Sequence, residues 1–483
     1  MYLGIDIGTS SLKAVLMDEG QRIIGSRSVS LEVSRPHSGW SEQDPDSWWQ
    51  ACEAVLDGLA SDHRAEMTAV KGIGLSGQMH GATLLDEADQ VLRPCILWND
   101  GRSAEEAAEI SEVSERITGN IAMPGFTAPK LMWVKRHEPD IFARVRTVLL
   151  PKDYVRLKLT GDKASDMSDS AGTLWLDTAE RAWSDEMLSV TGMDRSQMPE
   201  LFEGSEATGK LKADLASRWG MSADVVVAGG GGDNAASGCG VGAVAPGTGF
   251  VSIGTSGVIF VTADRYRSNP AGAVHAFCHA VPRTWHQMGV SLSSAACLDW
   301  LAGILQASPG DLVDALGDRP SGPSSIRFLP YLSGERTPHN DVAIRGAFVG
   351  LDQADDRKAM TQAVLEGVGF AFKDCLDVLT MPLAPPKRLL AVGGGSRSRY
   401  WLATIATILG LPIAVPEDGD FGAAFGAARL GLLAAEDADP FEICAPPAIR
   451  ETIEPIAGLA EAYGAAHATY CDLYPAIKEA MSR

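Results

Sequence analysis

Apolar and polar positions along the chain fall into short blocks separated by glycine-rich turns. Residues 2–8, 12–18 and 22–31 are apolar-rich runs split by the polar turns Gly8-Thr9-Ser10-Ser11 and Glu19-Gly20-Gln21. This pattern predicts a three-stranded hairpin meander. A helix follows. Asp44 is a suitable N-cap, Pro45 fits the first helical position, and Asp46 suits the positive helix end. Trp49, Cys52, Ala54, Val55 and Leu59 then recur near helical spacing. Residues 71–86 read as strand, glycine turn and strand, and 91–100 as another strand-like run. The stretch 101–220 is helix-rich. Residues 224–244 give a buried strand, a glycine turn and a helix of small residues. Two more strands follow over 248–264, and strand, glycine turn, helix and strand over 387–416. The alternation is α/β throughout.

Two patterns occur twice. Ile7-Gly8-Thr9-Ser10 returns as Ile253-Gly254-Thr255-Ser256, each time between strand-like runs. A strand, a run of glycines and a helix occur at Val226–Asp233 and again at Leu390–Ser396. A hairpin early in each half and a strand–glycine–helix late in each half imply two related domains around a central cleft. The expected halves are 1–244 and 245–483, joined near 243–250, where Pro246, Gly247 and Gly249 cluster.

The 483 residues carry a formal net charge of −21. That argues against nucleic acid or anionic membrane as partners, since no basic excess neutralises phosphates. A small anion such as ATP is still admissible, held locally by backbone N–H groups and a cation. No run approaches the ~20 apolar residues that span a bilayer. The first residues carry Asp6 and lack the basic region of a secretory signal. Eight cysteines are scattered without CxxC or CxH clustering. They read as reduced, mostly buried thiols of a cytoplasmic protein rather than as metal ligands.

Several segments are candidates for chemistry. Strand alternation sets Leu3, Ile5 and Ile7 on one face and Asp6 on the other. A carboxylate among apolar neighbours needs a pairing cation, and the turn beyond it offers N–H and hydroxyl groups to phosphate. The competing reading is a polar hairpin with a capping acid. The second copy has Ser252 where Asp6 stood. Gly230-Gly231-Gly232-Asp233-Asn234-Ala235 fits a weak dinucleotide fingerprint, but Asp233 sits in the turn and would repel pyrophosphate. Alternatively, the glycines admit a substrate and Asp233, kept ionised at a helix N-terminus, accepts a hydroxyl proton. A plain N-cap aspartate is the third reading. The Gly393–Ser398 turn has no acid and allows flat contact with a ring system such as adenine, or is simply a tight turn. Gln78 and His80 flank Met79 between glycines. No GxxxxGK[ST] motif is present.

Together these segments resemble the FGGY family of carbohydrate kinases over nearly the whole chain, from Gly4–Lys13 to Gly422–Gly431. Gly125–Val134 resembles the first family signature. Gly346–Leu351 through Ala363–Glu366 resembles the second, departing at Ala359, where the family usually has a polar or acidic residue. Met79-His80 after Gln78, together with Ile96–Arg102 and Leu150–Tyr154, are similar to the subgroup acting on D-xylulose. The resemblance implies an α/β fold of two duplicated actin/hexokinase-like (ribonuclease H-like) domains around a cleft. It implies transfer of phosphate from ATP to D-xylulose, giving D-xylulose 5-phosphate in xylose catabolism. It further implies that Gln78, Met79, His80, Trp98, Asp233 and Asn234 bind the sugar and that Asp233 accepts the proton. Asp6, with Asp233, would hold Mg²⁺. Thr9, Ser10 and Lys13 would line one side of the ATP site, and Gly254, Thr255, Gly394, Gly395 and Ser396 the other. A homodimer is the family expectation. A kinase for another ketose or polyol, and an actin- or chaperone-like ATPase without a sugar acceptor, are the alternatives.

Overall fold

The three N-terminal runs form the expected meander. Strands β1 (Tyr2–Ile7), β2 (Ser11–Met17) and β3 (Ile23–Ser30) pair antiparallel in that order. This computed structural model describes residues 1–380, 385–417 and 422–482. Helix α1 (Pro45–Asp62) begins where the sequence predicts, with the Asp44 side chain accepting from Asp46 N–H at 3.0 Å. Its buried stripe runs through Trp48, Cys52, Val55 and Leu59. Trp49 is only half-buried and Ala54 is exposed. The 3.6-residue repeat starts at Trp48, whose indole N–H is taken up by buried Gln43.

Strand β4 (Gly72–Gly77) lies parallel to β1. The run at 91–100 yields only a two-residue strand, Cys95–Ile96, since Pro94 just before it lacks an N–H to extend the ladder. The helix-rich stretch supplies α2 (Thr127–His137), α3 (Pro151–Thr160) and α4 (Met167–Ala171). The chain returns to the first sheet as β5 (Ala207–Lys210), β6 (Val226–Ala228) and β7 (Gly231–Gly232), then enters α5 (Asp233–Val241).

A second seven-stranded sheet follows: β8 (Gly249–Ile253), β9 (Gly257–Ala263), β10 (His275–Cys278), β11 (Trp285–Ser291), β12 (Leu389–Val392), β13 (Ile413–Pro416) and β14 (Ile449–Ile453). The spatial order is β5-β6-β4-β1-β2-β3 in the first sheet and β14-β13-β12-β8-β9-β11-β10 in the second. Each is an antiparallel meander, then two parallel strands, then an antiparallel edge. The repeat seen in four letters is thus a repeat of topology, with β10 added.

Helices α6 (Arg357–Thr380), α7 (Arg399–Leu409) and the C-terminal α9 (Ala460–Met481) pack around the second sheet. Ala359, where the family signature is departed from, is half-buried against that core. Helix α8 (Ala423–Glu436) behaves differently. It follows β13 in the chain yet lies on the first sheet, where Ala424 and Ala428 pack with Tyr2, Val15 and Met17. A Cβ at Gly4 would sit 1.9 Å from the carbonyl oxygen of Ala424, and one at Gly74 1.8 Å from that of Ala427. Only glycine admits this approach. The same helix touches α5, for a Cβ at Gly426 would lie 1.7 Å from the Ala236 carbonyl oxygen. Helices α5 and α8 therefore cross, backbone against backbone, between the two sheets. No helix among the described residues is long and apolar enough to cross a membrane.

Candidate active site

The register of the first sheet brings the two candidate carboxylates together. Asp6 on β1 pairs with Ser76 on β4, and Ser76 pairs with Gly231 on β7. Asp233 follows two residues later as the first residue of α5. Asp6 thus stands near the C-terminal end of β1 and Asp233 just past that of β7, the two strands flanking β4, at the strand ends where open α/β sheets bind their ligands.

Asp233 Oδ1 accepts the backbone N–H of Asn234 at 2.7 Å and its side-chain amide at 2.9 Å. Burial, and then the charge of Asp6, push its pKa up to about 7 against those two bonds. Desolvation and the second acid act against the helix N-terminus, which was expected to keep this group ionised. A pKa near neutrality suits a general base. Asp6 is also raised, by burial, with Ser76 and Lys13 opposing. Lys13 is its cross-strand partner on β2. Among the described residues, Asp6 Oδ1 is buried without a hydrogen-bond partner. An orphaned carboxylate oxygen beside a second carboxylate is a donor set that fits a hard divalent cation such as Mg²⁺.

A connected polar network fixes the turn beyond Asp6. Thr9 Oγ1 donates to Gln78 Oε1 at 2.9 Å and accepts the indole N–H of Trp98 at 3.0 Å. Gln78 Nε2 donates to Gln43 Oε1 at 2.8 Å, and Gln43 Nε2 donates to the Thr9 carbonyl at 2.7 Å. The structure therefore brings predicted Gln78, Trp98 and Thr9 together, and adds Gln43, which sequence reasoning missed. Ser10, next in the turn, is exposed.

His80 follows Met79 in the left-handed region, at φ 69°. Two donors hold its carbonyl: Lys130 Nζ at 2.8 Å and Thr127 Oγ1 at 3.1 Å, both from α2. Its Nδ1 lies 2.7 Å from the Gly172 carbonyl oxygen. A carbonyl only accepts, so Nδ1 carries the proton and Nε2 the lone pair. Burial, with Lys130 and Arg336 adding, pulls the imidazole pKa down to about 3, so the ring is neutral. Buried Met79 packs on Gly232, where a Cβ would lie 2.8 Å from Sδ. Phe126 meets the His80 ring edge-on at 4.5 Å, and Phe277 from the second sheet does so at 6.2 Å. Phe126 and Lys130 lie within the signature 125–134; Phe277 and Arg336 carried no local signal.

A buried charge cluster lies under the Asp233 turn. Lys152 Nζ meets Asp153 at 2.5 Å, Asp166 at 2.8 Å and Asp169 at 3.3 Å, all buried. Burial opposes its charge, but the three carboxylates outweigh it and hold the ammonium above its usual range. Asp166 accepts from Ser168, whose Oγ accepts the Gly232 N–H at 3.1 Å. Arg156 donates to the Gly229 carbonyl. Both ends of the glycine turn are thereby tied to fully buried ions.

In the second half, Gly254, Thr255, Gly394 and Gly395 line one cavity of about 890 Å³, together with Leu298 and Tyr400. Thr9, Ser10 and Lys13 lie outside its lining. Ser396, whose hydroxyl donates to the Gly393 carbonyl at 2.6 Å, lines a neighbouring cavity of about 500 Å³ with Ser252 and Ser237. The glycines here lead into a 3₁₀ turn (Gly394–Arg397) before α7, not straight into an α-helix as at Asp233.

Comparison with known proteins agrees with this architecture. Residues 1–240 match the N-terminal domain model of the FGGY family of carbohydrate kinases, and 249–435 match its C-terminal domain model. The chain is 50% identical to a xylulose kinase of Escherichia coli (strain K12) over 440 residues, 90% of each chain. A solved structure of a xyloylose kinase from Brucella ovis superposes with a TM-score of 0.97 at 60% identity, covering 99% of both chains. A gluconate kinase from Lactobacillus acidophilus gives 0.93 at 25% identity, over 98% of this chain and 97% of that one. The chain belongs to the FGGY family of carbohydrate kinases, with the two-domain fold of that family.

Proposed function

We propose that this kinase transfers the γ-phosphoryl group of ATP to the terminal hydroxyl of D-xylulose, giving D-xylulose 5-phosphate. The observation that carries this reading is the Met79-His80 turn set beside Asp233 at the strand ends, in a chain half identical to a xylulose kinase over nine-tenths of its length.

In this reading the sugar lies between the His80 turn and the start of α5. His80 Nε2 accepts a sugar hydroxyl, because Nδ1–H is committed to Gly172. Asn234 stands at the same helix start and contacts the ketose. Asp233 accepts the proton of the attacking hydroxyl as the bond to phosphorus forms. Asp6 and Asp233 would hold Mg²⁺, which supplies charge neutralisation to the phosphates. Adenine fits the 890 Å³ cavity against Gly394 and Gly395, with Gly254 and Thr255 toward the phosphates. Thr9, Ser10 and Lys13 bound the phosphates from the other side. The functional halves are 1–244 and 245–483, and closure about 243–250 excludes water and so limits idle ATP hydrolysis. A cytoplasmic homodimer completes the proposal, on the strength of the family resemblance alone.

A panel of D-xylulose, D-ribulose, gluconate and glycerol in a coupled ADP-release assay with ATP and Mg²⁺ tests the substrate. D-Xylulose should give the highest kcat/KM. A higher value for another acceptor would reassign the sugar within the family. No stimulation of ADP release by any acceptor would favour an ATPase without a sugar substrate.

A further inference from the structure

Outside the cleft, one cluster of side chains has donor atoms that converge without a role in phosphoryl transfer. His467 and Cys471 lie four residues apart on the C-terminal helix α9, one turn apart on the same face. Asp374 reaches them from α6. His467 Nε2 lies 2.7 Å from Asp374 Oδ1. Cys471 Sγ lies 3.6 Å from that oxygen and 3.5 Å from the same Nε2. The three ligand atoms all fall within 4.8 Å of one another.

Two arrangements use these residue types. A nucleophilic Cys–His–Asp relay needs thiol and acid on different ring nitrogens. Here both meet Nε2, so no relay is built. A metal site needs the three donors around one point. With Zn–S near 2.3 Å and Zn–N and Zn–O near 2.0–2.1 Å, tetrahedral angles put the S···N and S···O edges at about 3.5–3.6 Å and the N···O edge at about 3.3 Å. Both sulfur edges already have those lengths. The N···O edge is about 0.6 Å short of that tetrahedral length because a proton, not a metal, now bridges it.

We infer that Asp374, His467 and Cys471 form a binding site for a divalent transition metal of the zinc class, clasping α9 to α6. Thiolate and imidazole donors select such an ion over Mg²⁺ or Ca²⁺. Cys471 is exposed, so the fourth position opens to water. Asp377 and Asp472 add negative charge close to Cys471, which favours a cation there. The Cys471 thiol gives up its proton to solvent as the metal–sulfur bond forms. The i, i+4 histidine–cysteine pair carries neither CxxC nor CxH spacing, and Asp374 lies 93 residues before His467.

Titration of the metal-free full chain with Co²⁺ tests the site. One equivalent should produce a thiolate-to-cobalt charge-transfer band, displaced by Zn²⁺ and absent in both Cys471→Ser and His467→Ala. Zn²⁺ should raise the thermal midpoint of the wild type and leave that of Cys471→Ser unmoved, while Mg²⁺-ATP turnover stays the same in both. Absence of the band in the wild type, or its persistence at full intensity in Cys471→Ser, overturns the assignment.

Discussion

The two Gly-Thr-Ser hairpins have the same topology and different contents. In the first, Asp6 faces Lys13 across the ladder; at the matching register of the second, Ser252 faces Val258. The glycine turn beside the first ends in Asp233 and is tied by Ser168 and Arg156 to buried ions. The turn beside the second, Gly393–Ser396, carries no acid and is partly exposed. A duplicated frame has thus been divided into a charged, anchored half and a neutral, open one. The difference suits a cleft in which one wall does proton chemistry and the other receives a flat base.

The sharpest way to break that comparison is to remove the acid that distinguishes the halves. Asp233→Asn keeps the bonds around Asn234 close to isosteric, so folding and sugar binding should persist. kcat should fall by the ~10²–10⁴ typical of a lost general base. Near-normal turnover in the ADP-release assay would falsify the proton-acceptor role and leave Asp233 a helix-start residue.

Anchoring is the next difference. Lys152→Met removes the cation from three buried carboxylates and should lower unfolding free energy by about 3–5 kcal/mol, read by denaturant melts. A loss under about 1 kcal/mol would mean the acids protonate freely and the cluster is not holding the turn.

His80→Ala probes the sugar side of the charged half. It deletes the acceptor proposed for the ketose and strands the Gly172 carbonyl. KM for D-xylulose should rise about 10–100-fold, with background ATP hydrolysis unchanged. An unmoved KM would take His80 out of the sugar pocket. In Asp233→Asn, where the acid held near 7 no longer titrates, the same KM should be flat between about pH 5 and 8, because a ring titrating near 3 stays neutral throughout that range. A rise of KM toward pH 5 would show a ring that protonates in the free enzyme.

Much of this frame is legible in residue order because the informative groups are local. The meander, the α1 cap, both glycine turns and the placement of Asp6 opposite Leu3, Ile5 and Ile7 all depend on neighbours a few residues apart. What stayed illegible depends on distant chain. Strand β1 is buried on both faces, since α8 returns some 420 residues later to cover Gly4, as Ala424 on that helix shows. The shift of Asp233 to about 7 comes from burial first and then from Asp6, both supplied by distant chain. Lys152, Asp166 and Ser168 look like ordinary helix and loop polarity until folding puts them under Gly232. Gln78 was legible as a polar residue in a glycine-flanked turn and Trp98 only through the family resemblance, yet the partner they share, Thr9, became visible only in three dimensions.

The smallest expected effect tests the neutral half. Gly230 and Gly394 occupy comparable glycine turns, but a Cβ at Gly230 would lie 2.2 Å from the Leu75 carbonyl oxygen, on a backbone with φ 75°. At Gly394 a Cβ would meet nothing within 4 Å among the described residues. Gly230→Ala should therefore destabilise the fold, whereas Gly394→Ala should leave the thermal midpoint unchanged. If adenine lies flat on the second turn, the added methyl instead crowds the base. KM for ATP should then rise by about 1 kcal/mol, roughly fivefold, with KM for the sugar unaffected. An unchanged ATP KM in Gly394→Ala would place the base elsewhere in the cavity, for the methyl has no neighbour to disturb among the described residues.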